Sequence, residues 1–314
     1  MLIAAVLLLL SGVGYWDGVG LPEVVSDFRP YYLGAALLLG AAMLLGGRRL
    51  VHRHRSAALG FLVVVAINAW EIVPVAFGIA RPASPGGTPV KVAAFNVEWC
   101  NTRFAEVRTW ATNELPDVLM FCESTETWAG ELAPLARTFA HHVRVAELTM
   151  DLFSRHPILG FQIHSFGPQR GFCLVELQLP NQRLNVIAAH ACPRIPWGEK
   201  GYRERTRLLE EGLPAVVAGR GDSVVVVGDL NVTPWAPVFS RMLRRSGLND
   251  ARVGQGLLVS RRSHTLPARL LWNALDHCLV SDGVQVDRMW TGPDLGSDHR
   301  PIVAELRLVK QSSR

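Results

Sequence analysis

Apolar residues form long runs at the start of the chain and short runs further on. The long runs lie at 1–16, 31–47 and 57–80. A helix that crosses a bilayer needs about 20 mostly apolar residues; the third run has that length and the first two approach it. Nothing polar recurs in these runs at helical spacing to face water. We therefore predict about three transmembrane helices within residues 1–80, rather than an apolar layer on a soluble domain, although the first run could be a signal-peptide core.

The segments between the apolar runs predict the orientation of the chain. Residues 47–55, GRRLVHRHR, hold four arginines and two histidines, whereas residues 16–28, WDGVGLPEVVSDF, are acidic. Short connections rich in arginine stay in the cytoplasm, so a three-span chain has everything after Ala80 outside. Residues 81–89, RPASPGGTP, have the proline and glycine content of a linker. We expect a multi-pass protein of the cell (inner) membrane whose second domain, residues 90–314, is extracytoplasmic.

From Val90 onward, short apolar strands alternate with helical patterns, and polar residues stand where several strands begin or end. Strands and helices mixed in this way, with neighbouring strands able to form hairpins, predict an α/β sandwich of sheets flanked by helices. The polar residues at six strand ends are Asn96, Glu123, His190, Asp229 with Asn231, Asp276, and Asp298 with His299.

Each of these residues has an ordinary structural interpretation when it is taken alone. Asp229 and Asn231 could close a strand with an Asx turn, and His190 could be a satisfied core histidine. Six polar strand ends in one domain are, however, a poor design for stability. They suit phosphodiester hydrolysis, which needs oxygen ligands for Mg²⁺ or Mn²⁺, a base for the attacking water and donors that stabilise developing charge.

The oxygen-bearing side chains are expected to bind the metal, the attacking water or the phosphate. Glu123 is expected to bind the metal, and Asp229 is expected to hold the attacking water. Asn96 and Asn231 would donate hydrogen bonds to the phosphoryl oxygens. Asp298 is expected to be a second carboxylate on the metal side, because it alternates with His299 along the strand.

The two histidines are expected to act from opposite sides of the phosphate. His299, oriented by Asp276, would donate to the phosphate or act as a base. His190 would serve from the other side.

Composition adds little to this interpretation, but the cysteines argue against a zinc site and against a full disulfide framework. The formal charge of +5 comes almost wholly from arginine, since the chain has only three lysines; this permits a phosphate-bearing substrate without requiring one. The five cysteines show no CxxC or zinc-type spacing, and their odd number argues against a full disulfide framework.

Five motifs in order carry a resemblance to a known family: FNVEW, PDVLMFCE, VVVVGDLN, LDHCLV and GSDHRP. Over about Val90 to Val309 the chain resembles the endonuclease/exonuclease/phosphatase superfamily. The resemblance implies a four-layer α/β/β/α (DNase I-like) sandwich with its site at one end, and a metal-dependent hydrolase of phosphoric esters. It implies metal and catalytic roles for Asn96, Glu123, Asp229, Asn231, Asp276, Asp298 and His299. His190, in AAHAC, is similar to the catalytic histidine of the pancreatic-DNase and sphingomyelinase branch.

Several functions remain open at this point. A membrane-anchored phosphodiesterase could act on nucleic acid, as a nuclease, or on a phospholipid head group, as a sphingomyelinase-type enzyme or phosphoinositide phosphatase would. Residues 192–205 interleave arginine with aromatic side chains that could stack bases, enter a lipid interface or pack the loop. A non-catalytic binding domain and an intracellular DNA-repair enzyme are the alternatives of other classes. Besides the substrate and the lipid bilayer, no protein partner is expected.

Overall fold

The computed structural model describes residues 1–15, 20–79, 86–193, 198–221, 223–262, 264 and 271–309. Its first part is helical, and residues 1–79, which the sequence predicts to lie in a membrane, are called the membrane region below. The helices are α1 Leu2–Val13, α2 Gly20–Asp27, α3 Arg29–Leu45, α4 Arg48–Arg53 and α5 Arg55–Phe77. The predicted arginine-rich loop is thus largely the short helix α4, and the acidic segment before α3 contains α2.

The three predicted spans differ in length. Helix α5 has 23 residues and is, in the described part of the chain, the one helix long and apolar enough to cross a membrane. Helix α1 has 12 residues and α3 has 17, so at about 1.5 Å per residue they fall short of a bilayer core of about 30 Å. The number of crossings therefore stays a prediction.

The remainder of the chain is dominated by β-structure. The strands are β1 Thr88–Asn96, β2 Val118–Cys122, β3 His141–Val145, β4 Met150–Ser154, β5 Ile158–Gly167, β6 Arg170–Gln178, β7 Arg183–His190, β8 Val224–Asp229, β9 Asn249–Asp250, β10 Arg261–Arg262, β11 Trp272–Asn273, β12 Asp276–Val280, β13 Val284–Thr291 and β14 Ile302–Leu308. The helices are α6 Phe104–Glu114, α7 Glu126–Leu132, α8 Gly198–Arg207, α9 Leu213–Val217 and α10 Pro237–Ser246.

Twelve of these strands form two six-stranded mixed sheets. The first sheet has the order β13-β14-β1-β2-β4-β3, and the second has the order β5-β6-β7-β8-β12-β9. Each sheet contains one parallel pair at its centre, β1 with β2 and β7 with β8, and its other neighbours are antiparallel. Strands β10 and β11 form a separate two-stranded ribbon.

The alternation of side chains along the strands builds three apolar layers. On β1, Val92 and Ala94 face the second sheet, whereas Ala93 and Phe95 face the helices α6 and α7. The outer face of the second sheet is covered by α9 and α10 and the turns before them. The chain thus folds as a four-layer α/β/β/α sandwich, which confirms the predicted fold class.

The predicted linker follows α5, which ends at Phe77, and overlaps the beginning of β1. Residues 81–85 of that linker lie outside the described residues, and β1 begins at Thr88. Contacts beyond the linker join the parts: the backbone N–H groups of Gly254 and Gly256 donate to the carbonyls of Val75 and Ala76 near the end of α5, at 3.0 and 3.1 Å. The domain division at residues 81–89 remains a prediction.

Candidate active site

The strand directions bring the predicted polar residues to one end of the sandwich. The parallel strands β1, β2, β7 and β8 end there, and the antiparallel β12 and β14 begin there. In the second sheet Asp229 is directly opposite His190 on one side and Asp276 on the other. In the first sheet Asn96 is opposite Cys122, the residue before Glu123.

A glycine at the end of β8 lets two strands approach closely where Asp229 leaves the sheet. Gly228 has φ +140°, and a Cβ at this position would lie 2.0 Å from the carbonyl oxygen of Ala189 on β7. No other residue type avoids both the contact and the backbone strain. The glycine of the GDLN motif therefore fixes where the Asp229 carboxylate projects.

The amide of Asn96 links the two sheets across the site. Its Nδ2 donates to Glu123 Oε1 at 3.2 Å and to Asp229 Oδ2 at 3.0 Å. Its Oδ1 accepts from the backbone N–H of Glu98 at 3.0 Å. Asn96 thus holds one carboxylate from each sheet in a fixed relation.

Residues 229–231 form the Asx turn that is the ordinary structural interpretation of Asp229 and Asn231. The backbone N–H of Asn231 donates to Asp229 Oδ1 at 2.8 Å, which is an Asx turn. The amide of Asn231 also donates to Asp229 Oδ2 at 3.2 Å and to the carbonyl of Ala191 at 3.0 Å. Because Asn231 has φ +50° and Glu123 has φ +58°, two site residues adopt a backbone conformation that non-glycine residues rarely take.

His299 and Asp276 form a buried pair. His299 Nδ1 lies 2.7 Å from Asp276 Oδ2, and its Nε2 lies 3.7 Å from Asp229 Oδ2. Ser297 supports this geometry, because its hydroxyl donates to the carbonyl of Asn96 and accepts from the N–H of His299. The contact with Asp276 was expected from the sequence; that it turns Nε2 of His299 toward Asp229 is shown only by the structure.

His190 stands on the opposite side and is fully buried. Its Nε2 lies 3.7 Å from Glu123 Oε1 and 3.9 Å from Asp229 Oδ2, and neither ring nitrogen has a hydrogen-bond partner among the described residues. Buried polar groups without partners are rare in folded proteins. The two ring nitrogens of His190 are therefore free to hydrogen-bond a polar group that would enter between Glu123 and Asp229.

Asp298 lies at the edge of this cluster. Its Oδ2 is 3.0 Å from both Nε and Nη2 of Arg261, and its Oδ1 is 3.8 Å from His299 Nε2. Its backbone N–H donates to Glu98 Oε2. The predicted metal role of Asp298 thus competes with an ion pair in which two nitrogens of Arg261 contact Oδ2 of Asp298.

Three arginines near the site were missed by sequence reasoning. Arg170 Nη2 is 3.8 Å from Glu123 Oε1, Arg205 Nη1 donates to the carbonyl of Asn231 and Arg261 pairs with Asp298. Single arginines carry no motif in a chain whose basic residues are nearly all arginine. Of the three, only Arg205 lies in the segment 192–205, which interleaves arginine with aromatic side chains. Residues 194–197 of that segment lie outside the described residues.

Burial and neighbouring charges shift the pKa values of the ionisable groups of the site in different directions. Burial, with smaller contributions from Arg170 and His299, holds the pKa of His190 well below its usual value, so this ring is neutral. Burial opposes the charged form of His299, but the Asp276 and Asp229 carboxylates outweigh it and raise the pKa of His299. Burial also raises the pKa of Asp229, although His299 lowers it.

The site opens into a cavity of about 470 Å³. Asn96, Glu123, Asp229, Asn231 and His299 lie on its wall together with Asp298. His190 and Asp276 stand behind this wall, each within 4 Å of one of these side chains. The structure therefore brings together all eight residues that the sequence singled out.

The donor set at this cavity fits a divalent cation. Asp229, Asp276 and His299 each offer a ligand atom, and these atoms lie within 4.8 Å of one another; Asp276 Oδ1 is buried without a partner among the described residues. The more open carboxylates are those of Glu123 and Asp298, whose side chains are 20% and 17% exposed, whereas the Asp229 side chain is 1% exposed and both of its oxygens accept hydrogen bonds. Carboxylate oxygens of this kind suit Mg²⁺ or Mn²⁺ better than softer metals.

A two-sheet sandwich with this cluster at one end defines a phosphoesterase hydrolase. Residues 93–299 match the family model described as Endonuclease/Exonuclease/phosphatase family. Because that match covers about two thirds of the sequence, the chain belongs to this family. No curated protein matches the chain at a significant level.

Solved structures with the same fold include proteins of different activities. Sphingomyelinase C from Streptomyces griseocarneus has a TM-score of 0.55 at 18% identity, over 69% of this chain and 99% of its own. TDP2 from D. rerio, complexed with a single-strand DNA product, has a TM-score of 0.57 at 17% identity, over 70% and 99%. The 3′ phosphatase NExo from Neisseria, bound to a product DNA hairpin, has a TM-score of 0.56 at 18% identity, over 68% and 98%. At these identities the likeness shows the fold alone.

Proposed function

We propose that the protein is a membrane-anchored phosphodiesterase that depends on a divalent cation, Mg²⁺ or Mn²⁺, and whose active site is extracytoplasmic. The observation that carries the catalytic part is the convergence of Glu123, Asp229, and the Asp276–His299 pair on one cavity, with buried His190 facing them. A structural role alone would not leave both nitrogens of a fully buried histidine without partners.

The side chains around the cavity have different roles in hydrolysis. Asp229, held by Asn96 and Asn231, positions the attacking water and accepts its proton. His299 carries the proton that the neighbouring carboxylates favour, so it donates a hydrogen bond to a phosphoryl oxygen from its Nε2. Neutral His190 donates from the opposite side. Both histidines thus stabilise charge that develops on phosphate.

Glu123 is the residue we assign to the cation, with Asp298 as the second carboxylate on the metal side. A bound divalent cation supplies charge neutralisation at the phosphoryl oxygens. Asn96 keeps Glu123 turned toward the cavity, because its amide donates to Glu123 Oε1 and to Asp229. The ion pair of Asp298 with Arg261 makes Glu123 the stronger of the two assignments.

Membrane anchoring is supported by the outer surface of the helices α1, α3 and α5. Large apolar side chains on them are exposed, among them Leu9, Leu38, Leu62 and Phe77. Within α5, only 22% of an apolar stretch of 18 residues is buried. Soluble monomers rarely expose contiguous apolar surface of that extent. Lipid is the environment that such helices fit.

The predicted orientation is also supported by the contacts between the two parts. The beginning of α3 and the end of α5 contact the sandwich through Tyr31 and Val75. These ends are opposite to the arginine-rich α4 in a bundle that runs back and forth. A cytoplasmic α4 therefore places the sandwich on the extracytoplasmic side.

Two substrate classes are compatible with this chemistry. The solved structures with this fold include a sphingomyelinase and two proteins bound to DNA products. A nuclease and a lipid phosphodiesterase both break a P–O ester bond, so the catalytic groups alone do not separate them.

Hydrolysis of bis-p-nitrophenyl phosphate by the full-length protein in detergent tests the catalytic proposal. We expect turnover with Mn²⁺ or Mg²⁺, its loss in EDTA, and a fall of at least about 100-fold in Asp229→Asn and His299→Ala. Asp287→Asn, on β13 away from the cavity, is the matched control and should retain wild-type activity. Turnover that persists in EDTA, or in Asp229→Asn, would refute the proposed mechanism.

A further inference from the structure

One wall of the active-site cavity comes from the membrane region. Val24, Asp27 and Phe28, at the junction of α2 and α3, line the same cavity as Asp229 and His299. These three residues are called the α2–α3 wall below. These residues form part of the cavity lining, so the membrane region limits the shape of what can enter.

Hydrogen bonds fasten the α2–α3 wall to the sandwich near the catalytic residues. Thr233 Oγ1 donates to Asp27 Oδ1 at 2.8 Å, and Trp235 Nε1 donates to the carbonyl of Asp27 at 3.4 Å. Both partners follow Asn231 closely in the chain. The wall is therefore a fixed part of the site.

The wall is also anchored from within the helical bundle. Arg29, which follows Phe28, is fully buried; its guanidinium lies over the ring of Tyr15, 4.2 Å from the centroid, and 3.5 Å from Asn68 Oδ1. A buried arginine is costly unless surrounding groups hold it. Its position ties the start of α3 to α1 and α5.

Apolar and aromatic side chains continue from the wall around the mouth of the cavity. Trp99 and Leu271 line the cavity and are exposed by 68% and 38%. Trp272, next to Leu271, is 51% exposed and its carbonyl accepts from the hydroxyl of Tyr31 on α3 at 3.1 Å. Tryptophan and tyrosine favour the boundary between membrane and water, which is where the beginning of a spanning α3 would lie.

The charges on the cavity wall favour a substrate with a single phosphodiester over a polynucleotide. Five carboxylates line it, those of Asp27, Glu98, Glu123, Asp229 and Asp298. The arginines among the described lining residues are Arg205 and Arg261, which already contact Asn231 and Asp298. Nucleic-acid binding relies on several basic groups along the phosphate backbone, and the described part of this wall does not offer such a track.

We propose that the α2–α3 wall makes the site specific for a glycerophospholipid presented from the bilayer, with Phe28 and Val24 packing against the lipid body and the catalytic residues on its phosphodiester. The inference rests on the proposed phosphodiesterase function and deepens it. In the reaction the oxygen of water bonds to phosphorus, and the bond from phosphorus to the glycerol oxygen breaks. The proton that water loses ends on that oxygen, giving diacylglycerol and the phosphorylated head group.

Paired substrates test this specificity with the full-length protein in nonionic detergent. The lipid substrates are dioleoyl phosphatidylglycerol and dioleoyl phosphatidylcholine in mixed micelles, and their deacylated counterparts are glycerophosphoglycerol and glycerophosphocholine. A single-stranded oligonucleotide and bis-p-nitrophenyl phosphate complete the panel. We expect wild-type kcat/KM to be at least tenfold higher for at least one lipid than for its deacylated counterpart and for the oligonucleotide.

Substitutions in the wall add a second readout. Phe28→Ala should lower the ratio of lipid to bis-p-nitrophenyl phosphate kcat/KM at least fivefold, and Phe28→Leu should restore most of it. Phe77→Ala, an exposed phenylalanine at the end of α5 outside the cavity, is the matched control and should leave the ratio unchanged.

The outcomes separate the two proposals. Preference for the oligonucleotide, equal rates on lipid and deacylated counterpart, or an unchanged ratio in a folded Phe28→Ala would overturn the lipid inference, while turnover of bis-p-nitrophenyl phosphate keeps the phosphodiesterase proposal. If no substrate, including bis-p-nitrophenyl phosphate, is hydrolysed with either metal, the phosphodiesterase proposal fails and the inference fails with it.

Discussion

In the proposed mechanism Asp276 acts on the substrate only through His299, and this makes its contribution measurable. Its Oδ2 lies 2.7 Å from His299 Nδ1, and its charge is the largest of those that raise the pKa of that ring. Asp276→Asn retains the size of the side chain and removes the charge. We expect kcat for bis-p-nitrophenyl phosphate to fall by about 10²-fold or more, with little change in KM.

A change in the pH profile distinguishes this positioning role from a general loss of structure. Without the Asp276 charge, the pKa of His299 falls, so the alkaline limit of activity should move to lower pH in Asp276→Asn. Asp287→Asn serves again as the matched control. A variant with an unshifted profile and a reduced fraction of folded protein would show that Asp276 is only structural.

His277, the neighbour of Asp276, predicts how folding stability depends on pH. Its Nε2 lies 2.7 Å from the carbonyl of Val232, and its Nδ1 lies 3.3 Å from Arg252 Nη1. Burial, reinforced by Arg252, holds the pKa of His277 well below its usual value. The unfolded chain protonates this histidine near pH 6.5, so it binds more protons than the folded protein at lower pH and stability falls as pH decreases.

Thermal unfolding of the wild type and of His277→Gln at several pH values tests this. From pH 6.5 to pH 5.5 the wild type should lose about 1 kcal/mol more stability than the variant, since only its unfolded state takes up this proton. The variant should be the less stable protein near pH 8, where the histidine is neutral in both states. Parallel stability curves for the two proteins would contradict a buried neutral His277.

The sequence pointed to the carboxylate, amide and histidine side chains of the site and missed the arginines, although Arg170 and Arg261 also stand at the start of strands, β6 and β10. Asp229 and His299 adjoin β8 and β14, whose apolar pattern indicates where the strands end and begin. Position at a strand did not distinguish Arg170 and Arg261, because an arginine that pairs with a carboxylate has the same local pattern as one that faces water. Their partners are separated from them by 47 and 37 positions in the chain (170−123 and 298−261), and only the fold brings them together.

At the scale of single elements, β8 depends on Gly228. A Cβ there would meet the backbone oxygen of Ala189, and φ +140° is unfavourable for any other residue. We expect Gly228→Ala to cost about 2 kcal/mol or more, which corresponds to a fall in Tm of roughly 5 °C or more for a protein of this size.

Gly130→Ala provides the matched control for that substitution. Gly130 lies within α7, and a Cβ there would have no neighbour within 4 Å. Alanine favours a helix over glycine by about 0.5–1 kcal/mol, so Tm should rise slightly. If both variants have the same Tm, the close approach of β7 and β8 at Gly228 is not a constraint.

Strands could be located from the sequence, but their sheet could not. Alternation on β1 indicates which side chains share a face, yet nothing in it shows that Thr88 pairs with Leu308 at the far end of the chain. Likewise, α2 lies in a segment expected to be a loop, because its polar composition gives no clear helical period. Such long-range pairings depend on the packing of the whole domain, which no short pattern contains.

At the scale of the whole molecule, the membrane region and the sandwich together line one cavity. The apolar pattern predicted helices that suit a bilayer and a separate domain with polar strand ends. It did not predict that Phe28 and Asp27 would form a wall of the active site, because a contact between distant segments has no local signature. An N-terminal region that only tethers the sandwich would tolerate replacement by another helix, whereas here Val24, Asp27 and Phe28 line the cavity.

Orientation in the membrane is the prediction that belongs to this scale, and Cys100 offers a natural probe of it. All five cysteines are free, and Cys100 is the exposed one. Burial and the nearby Glu98 raise the pKa of its thiol, so labelling requires a mildly alkaline buffer. With the sandwich outside, a membrane-impermeant maleimide should modify Cys100 in intact spheroplasts and should not modify Cys100→Ser.

A cysteine placed at the opposite side completes the experiment. Arg53→Cys, at the end of α4 and introduced together with Cys100→Ser, should react only after the spheroplasts are lysed, because the arginine-rich segment is held in the cytoplasm. The reverse pattern, with position 53 labelled in intact spheroplasts and Cys100 labelled only after lysis, would place the sandwich in the cytoplasm. In that case the active site would meet the inner leaflet of the bilayer, and the extracytoplasmic assignment would be wrong while the contacts between Phe28 and the catalytic cavity would stand.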